Sequence, residues 1–129
     1  MFTLEQIKHA HGKVLSGADF PTYISTLKAL GLTQYELYVS DGHADYFGHE
    51  NHKIVSAAVY NTLYIASAPD APKFGAALKA HQQGHTDYQT FCQQAAASGV
   101  EKWVVDIAKM TCTYYDKAGN NILEEVIPQ

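Results

Sequence analysis

Apolar positions along the chain follow two periods, and the switches between them mark out its elements. Leu4, Ile7, His11, Val14 and Leu15 keep helical spacing, and Thr3 with Gln6 has the form of a capping box. The pattern therefore predicts a first helix ending near Ser16 and Gly17. A second helix is expected to open at Asp19, with Pro21 in its first turn. It presents Phe20, Tyr23, Ile24, Leu27 and Leu30 and stops at Gly31. There the period shortens to two: Tyr35, Leu37 and Val39 alternate with Glu36, Tyr38 and Ser40, as in a half-buried strand. Asp41-Gly42 reads as a two-residue type I′ turn, which needs positive φ at both central positions. A return strand over residues 43–48 follows, then a strand starting near Lys53, while residues 57–67 fit strand or loop. Helical spacing returns in Phe74, Ala77, Leu78 and His81, closed by Gly84, and again over residues 87–98, capped by Gly99. Trp103, Val105 and Ile107 alternate, residues 111–116 form another strand, residues 117–120 a turn and residues 121–127 the last strand.

The order helix, helix, hairpin thus occurs twice. The displacement that lays Gly31 on Gly99 also lays Asp19 on Asp87, Thr22 on Thr90 and Tyr46 on Tyr114. It brings similar residues together at Tyr23/Phe91, Tyr35/Trp103, Leu37/Val105 and Val39/Ile107. The expected architecture is a single α+β domain over residues 1–129. It has two layers, an antiparallel sheet with four helices on one face, and arises by internal duplication of a unit spanning about 3–60 and 71–127. Pairing across a two-residue turn sets Val39 opposite Ala44, Tyr38 opposite Asp45 and Leu37 opposite Tyr46. The core face is then Tyr35, Leu37, Val39, Ala44 and Tyr46, and the other face carries Glu36, Tyr38, Ser40, His43, Asp45 and Phe47. In the second half Trp103, Val105, Ile107, Cys112 and Tyr114 face the core. The turn near Lys109-Met110 lacks a glycine and is expected to be longer.

Composition narrows the function classes. The 129 residues carry a net charge of −4, and every one of the nine basic residues is lysine. Without the planar arginine fork, an acidic chain is a poor reader of base edges and phosphates, so nucleic acid is not an expected partner. Cys92 and Cys112 have neither metal spacing nor a disulfide framework and read as small buried residues in a reducing compartment. The first residues lack the basic and apolar regions of a signal peptide, and the longest apolar stretch, residues 54–67, is too short and too interrupted to span a bilayer. A cytoplasmic protein without membrane contact is expected.

Candidate chemistry gathers after the first hairpin turn. His43 and Asp45, two apart on a strand, share the non-core face, and His49 and His52 on the next loop are placed to fold back beside them. Three imidazoles and a carboxylate suit a divalent transition metal, although the spacing matches no established motif. His81 and His85 are separated by the helix-breaking Gly84, and His9 and His11 point in different directions on one helix. No nucleophile elbow, phosphate loop or dinucleotide fingerprint is present. Tyr38 and Phe47 are aromatic side chains on the solvent face beside His43 and Asp45, which makes that face a candidate surface for a protein partner or self-association.

The stretch from Gly17-Ala18-Asp19-Phe20-Pro21 to Ser40-Asp41-Gly42-His43 resembles a small bacterial family of uncharacterised proteins, domain of unknown function 1398. So do Val105-Asp106, residues 110–116 and Glu125-Val126-Ile127-Pro128. The resemblance implies a compact α+β fold and assigns no catalytic residues. Members occur in prophage regions, and some bear the label phage envelope protein. The favoured reading is a non-enzymatic binding or regulatory protein. The alternatives are a metal- or small-ligand-dependent enzyme using His43, Asp45, His49 and His52, and a minor phage structural component.

Overall fold

Local chemistry sets the helix boundaries. In this computed structural model, which describes residues 2–14 and 17–127, α1 (Leu4–His11) opens with the expected capping box. The Gln6 N–H donates to the Thr3 hydroxyl (3.2 Å) and the Thr3 N–H to Gln6 Oε1 (2.9 Å). The helix stops earlier than its apolar spacing predicts. The N–H groups of Lys13 and Val14 turn back to the carbonyls of Ala10 and His11, tightening the chain into i→i+3 turns. Leu15 and Ser16, to which the sequence pattern extended it, lie outside the described residues. A short 3₁₀ turn leads into α2 (Phe20–Leu30), ended by Gly31 at φ 100°. Asp70 caps α3 (Ala71–Gln82) by accepting from the Lys73 N–H, and Asp87 caps α4 (Tyr88–Ala97) by accepting from the Thr90 N–H. After α4, Gly99 has φ +86°, and a Cβ there would stand 2.7 Å from Pro69 Cα. Glycine is required twice over, for its conformation and for the close approach of another backbone.

Six strands form one antiparallel sheet: β1 (Leu32–Tyr38), β2 (Ala44–Gly48), β3 (Lys53–Val55), β4 (Lys102–Asp106), β5 (Thr111–Tyr115) and β6 (Asn121–Val126), in the order β3-β2-β1-β4-β5-β6. The first hairpin pairs Tyr35 with Tyr46 and Leu37 with Ala44. The second pairs Trp103 with Tyr114 and Val105 with Cys112, the same registers under the displacement that relates Gly31 to Gly99. At the centre β1 pairs with β4, and Glu36 stands opposite Val104, its own counterpart in the other half. Gly31 and Gly99 both adopt positive φ, as do Gly42 and Met110 at the two hairpin ends. We propose from these registers that the two halves are copies of one unit, related by an axis through the Glu36–Val104 pair.

The first hairpin departs from its predicted turn. Tyr38 donates to the carbonyl of His43 and Gly42 to that of Tyr38, so the loop is four residues long, Val39 to Gly42. Tertiary contacts open it. Val39 is fully buried, its carbonyl accepts from the Tyr60 hydroxyl, and the Asp41 and Ser40 carbonyls accept from the N–H groups of Val59 and Leu63. Residues 57–67 are therefore neither strand nor idle loop but a strap bonded to the hairpin end, with the Tyr60 ring lying where a Gly42 Cβ would be. The register moves by two residues, so Tyr35, Leu37, Ala44 and Tyr46 keep the core face and Glu36, Tyr38, Asp45 and Phe47 the other, as a one-residue slip would not have allowed.

The core lies between that face and the helices. Ile7, Tyr23, Ile24, Leu27, Phe74, Leu78, Phe91, Cys92 and Ala95 from the helices form one buried cluster with Tyr35, Trp103, Val105, Cys112 and Tyr114 from the sheet. Leu37, placed on the core face, is only partly buried. Both thiols are buried and free. Burial raises the Cys92 pKa, with the Tyr60 and Tyr88 hydroxyls pulling against it, while burial pushes Cys112 up to about 12. Leu27, with no exposed surface, is the clearest test of this core. Leu27→Ala is expected to cost about 2–5 kcal/mol in urea unfolding, through lost transfer energy plus the cavity, whereas Ala29→Ser on the exposed side of the same helix should stay within about 0.5 kcal/mol.

Candidate functional site

The strand registers array the solvent face of the sheet in cross-strand rows, because directly paired residues share a face. One row runs from His43, the residue before β2, through Tyr38, Lys102 and Tyr115 on β1, β4 and β5. The next runs Val55, Asp45, Glu36, Val104, Thr113 and Glu124, and the third Lys53, Phe47, Gln34, Asp106, Thr111 and Val126. Tyr38, His43, Asp45 and Phe47, singled out from the sequence, all lie in these rows.

The first row is a stack of rings and cations. The His43 imidazole lies flat on the Tyr38 ring, centroids 4.4 Å apart and planes 5° from parallel. From the other flank Lys102 Nζ sits 5.7 Å from the Tyr38 centroid and 5.9 Å from that of Tyr115, while bonding Glu36 Oε1 at 2.8 Å. That hydrogen bond is the main reason the Lys102 pKa is raised. Burial first, and then the Glu36 carboxylate, push the Tyr38 phenol up, with Lys102 pulling against them. At the loop end Asp41 Oδ1 accepts from the His43 N–H at 3.0 Å and meets His43 Nδ1 at 2.5 Å. Partial burial acts to raise the Asp41 carboxyl, but the bonds from His43 outweigh it and hold it below the usual range. In the third row Lys53 Nζ stands 5.5 Å from the Phe47 centroid.

The proposed metal set does not assemble. His43 precedes β2, whereas His49 and His52 lie beyond its far end, roughly 20 Å of extended chain away. His52 instead bonds the Phe2 carbonyl at 3.0 Å and packs edge-on against the Phe2 ring. Among the described residues no three His, Cys, Asp or Glu side chains are grouped to hold a metal ion. Two of the helix histidines pack on aromatic rings: His81 stacks on Phe91, and His11 sits edge-on to Tyr23 and Tyr88, with burial lowering its pKa. A groove of about 460 Å³ between α1 and α2, lined by His9, Lys13, Val14, Tyr23 and Leu30, faces away from this chemistry. Lys102, Glu36 and Tyr115 were missed as members of the site. Alternation had put Glu36 on the solvent face; the sequence signal for Lys102 and Tyr115 was the proposed internal repeat, from which the central pairing of the two hairpins follows.

Comparison with known proteins places residues 8–126 within a family model described as protein of unknown function (DUF1398). The chain is also 23% identical over 97 residues to the uncharacterized protein YcgX of Escherichia coli strain K12, covering 75% of this chain and 72% of that one.

The depressed Asp41 carboxyl carries a pH signature. A lowered folded-state pKa contributes stability above the unfolded value of about 3.9, which is lost as pH falls through the folded one. Below about pH 4 the unfolding free energy of the wild type should fall more steeply than that of Asp41→Asn, and the variant should be the less stable at neutral pH. Parallel profiles in urea unfolding across this range would mean that the Asp41–His43 contact contributes nothing.

Proposed function

The chain belongs to the DUF1398 family of proteins of unknown function, and we propose that it is a non-enzymatic binding or regulatory protein whose solvent-facing sheet docks on a protein partner in the cytoplasm. The observation that carries this reading is the row His43–Tyr38–Lys102–Tyr115, with Phe47 two rows away. Aromatic rings on a solvated sheet face are poorly used unless something covers them, and Tyr and Phe are over-represented in interface centres. Tyr38, Tyr115 and Phe47 are each half-buried, and among the described residues their ring and cation contacts are with His43, Lys53 and Lys102 of the same face. Tyr38, His43, Asp45 and Phe47 are the contact residues of this proposal. The buried thiols offer no activated nucleophile, since burial disfavours their thiolates. No described helix is long and apolar enough to cross a membrane.

The test is a Tyr38→Ala, Phe47→Ala double variant of the full chain. Cross-linking in the native host should capture a partner with the wild type and lose it with the variant, while their unfolding free energies agree within about 1 kcal/mol. If sedimentation instead shows a dimer that the double variant dissolves, the partner is a second copy. A variant that unfolds far more readily would make the rings core and end this reading.

A further inference from the structure

The middle row of the sheet face holds an arrangement that folding does not require. Asp45 on β2 stands directly opposite Glu36 on β1, and like charges in that position are destabilising. At the corresponding step of the second hairpin the pair is Val104 and Thr113, so the same register is built without charge. Glu36 has its cation in Lys102 at 2.8 Å. Asp45 has no ion-pair partner among the described residues. Its neighbours two residues away along the chain are His43 and Phe47, Tyr38 is its diagonal neighbour on β1, and Val55, 55% exposed, is its partner on β3.

We infer that this face takes a basic segment of its partner protein, with a lysine or arginine side chain seated over Asp45 between the rings of Tyr38 and Phe47. The inference rests on the docking role proposed above and names its partner class. A carboxylate with no cation of its own attracts one by charge, and the Phe47 ring beside it adds its quadrupole. The face already shows the preference, since its own lysines lie over these same rings, Lys53 over Phe47 and Lys102 over Tyr38. Val55 offers apolar surface for the methylene stem of the incoming side chain. The remaining charges agree. Glu36, Asp45, Asp106 and Glu124 outnumber Lys53 and Lys102 in the rows, and the whole chain carries −4. A second copy would bring the same acidic excess, and nucleic acid would bring more, so both are disfavoured as occupants.

The experiment is an NMR titration of the isotope-labelled full chain with a capped peptide of alternating threonine and lysine. The same peptide with glutamine for lysine serves as the comparison. The lysine peptide should shift amide signals on β1, β2 and β3 around Asp45, and should weaken at high salt. Asp45→Asn should loosen it about threefold to fivefold, as loss of one exposed charge pair implies. Asp106→Asn, a row away, should loosen it less than Asp45→Asn does. Asp45→Asn relieves a like-charge opposition, so an unfolding midpoint equal to or above the wild type's confirms that the fold is intact. Shifts centred elsewhere, or binding indifferent to Asp45→Asn, would overturn the inference. If the glutamine peptide binds equally well, and that binding is lost in Tyr38→Ala, Phe47→Ala, the cationic partner is overturned while the docking face survives.

Discussion

The pairing of β1 with β4 is the constraint on which everything else depends. Each half supplies three strands, and without this ladder each would carry an open edge along its innermost strand. The ladder sets Tyr35 against Val105 and Leu37 against Trp103, which makes one core face out of two hairpins. It also brings Lys102 beside Tyr38 and within reach of Glu36, so the solvent face is composed in the same stroke. A slip of one residue would turn Val105 and Trp103 to solvent and carry Lys102 under the helices.

The two faces use aromatic side chains for different ends. Beneath the helices Trp103 touches Phe91, Tyr88 and Tyr114, and Phe74 bridges Phe91 and Tyr114, so that ring-on-ring contact fills the space between layers. On the open side the rings alternate with imidazole and ammonium groups, which stay partly hydrated and keep the face soluble. The halves share registers yet part company at Glu36 and Asp45 against Val104 and Thr113, and that difference lies on the open side.

What was legible in the sequence is what local chemistry decides. Thr3 with Gln6, Asp87, Gly31 and Gly99 announce helix ends because caps bond within a few residues of themselves. Alternation over residues 35–39 and 103–107 fixed the faces, and they survived a wrong turn length because the error was an even number of residues. The turn itself was not legible: its four-residue form is held by Val59, Tyr60 and Leu63, which lie beyond two further strands. Histidines close in sequence misled for a related reason, since an extended strand carries His43 and His49 far apart while proximity in the chain suggests a cluster. Lys102 and Tyr115 escaped notice because their neighbours belong to the other half, across a ladder that no local pattern specifies.

The two buried thiols also say something about the life of the protein. A thiolate is the species that oxidants, electrophiles and disulfides react with, and burial disfavours it in both cysteines, most of all in Cys112. Cys92 lies under the strap and Cys112 under the helices, so reagents reach neither without opening the fold. In the folded chain these two thiols are thus shielded from the redox potential around them. Oxidants would mark these two thiols only through the unfolded fraction, and the lifetime of the thiols becomes a measure of how often the molecule opens.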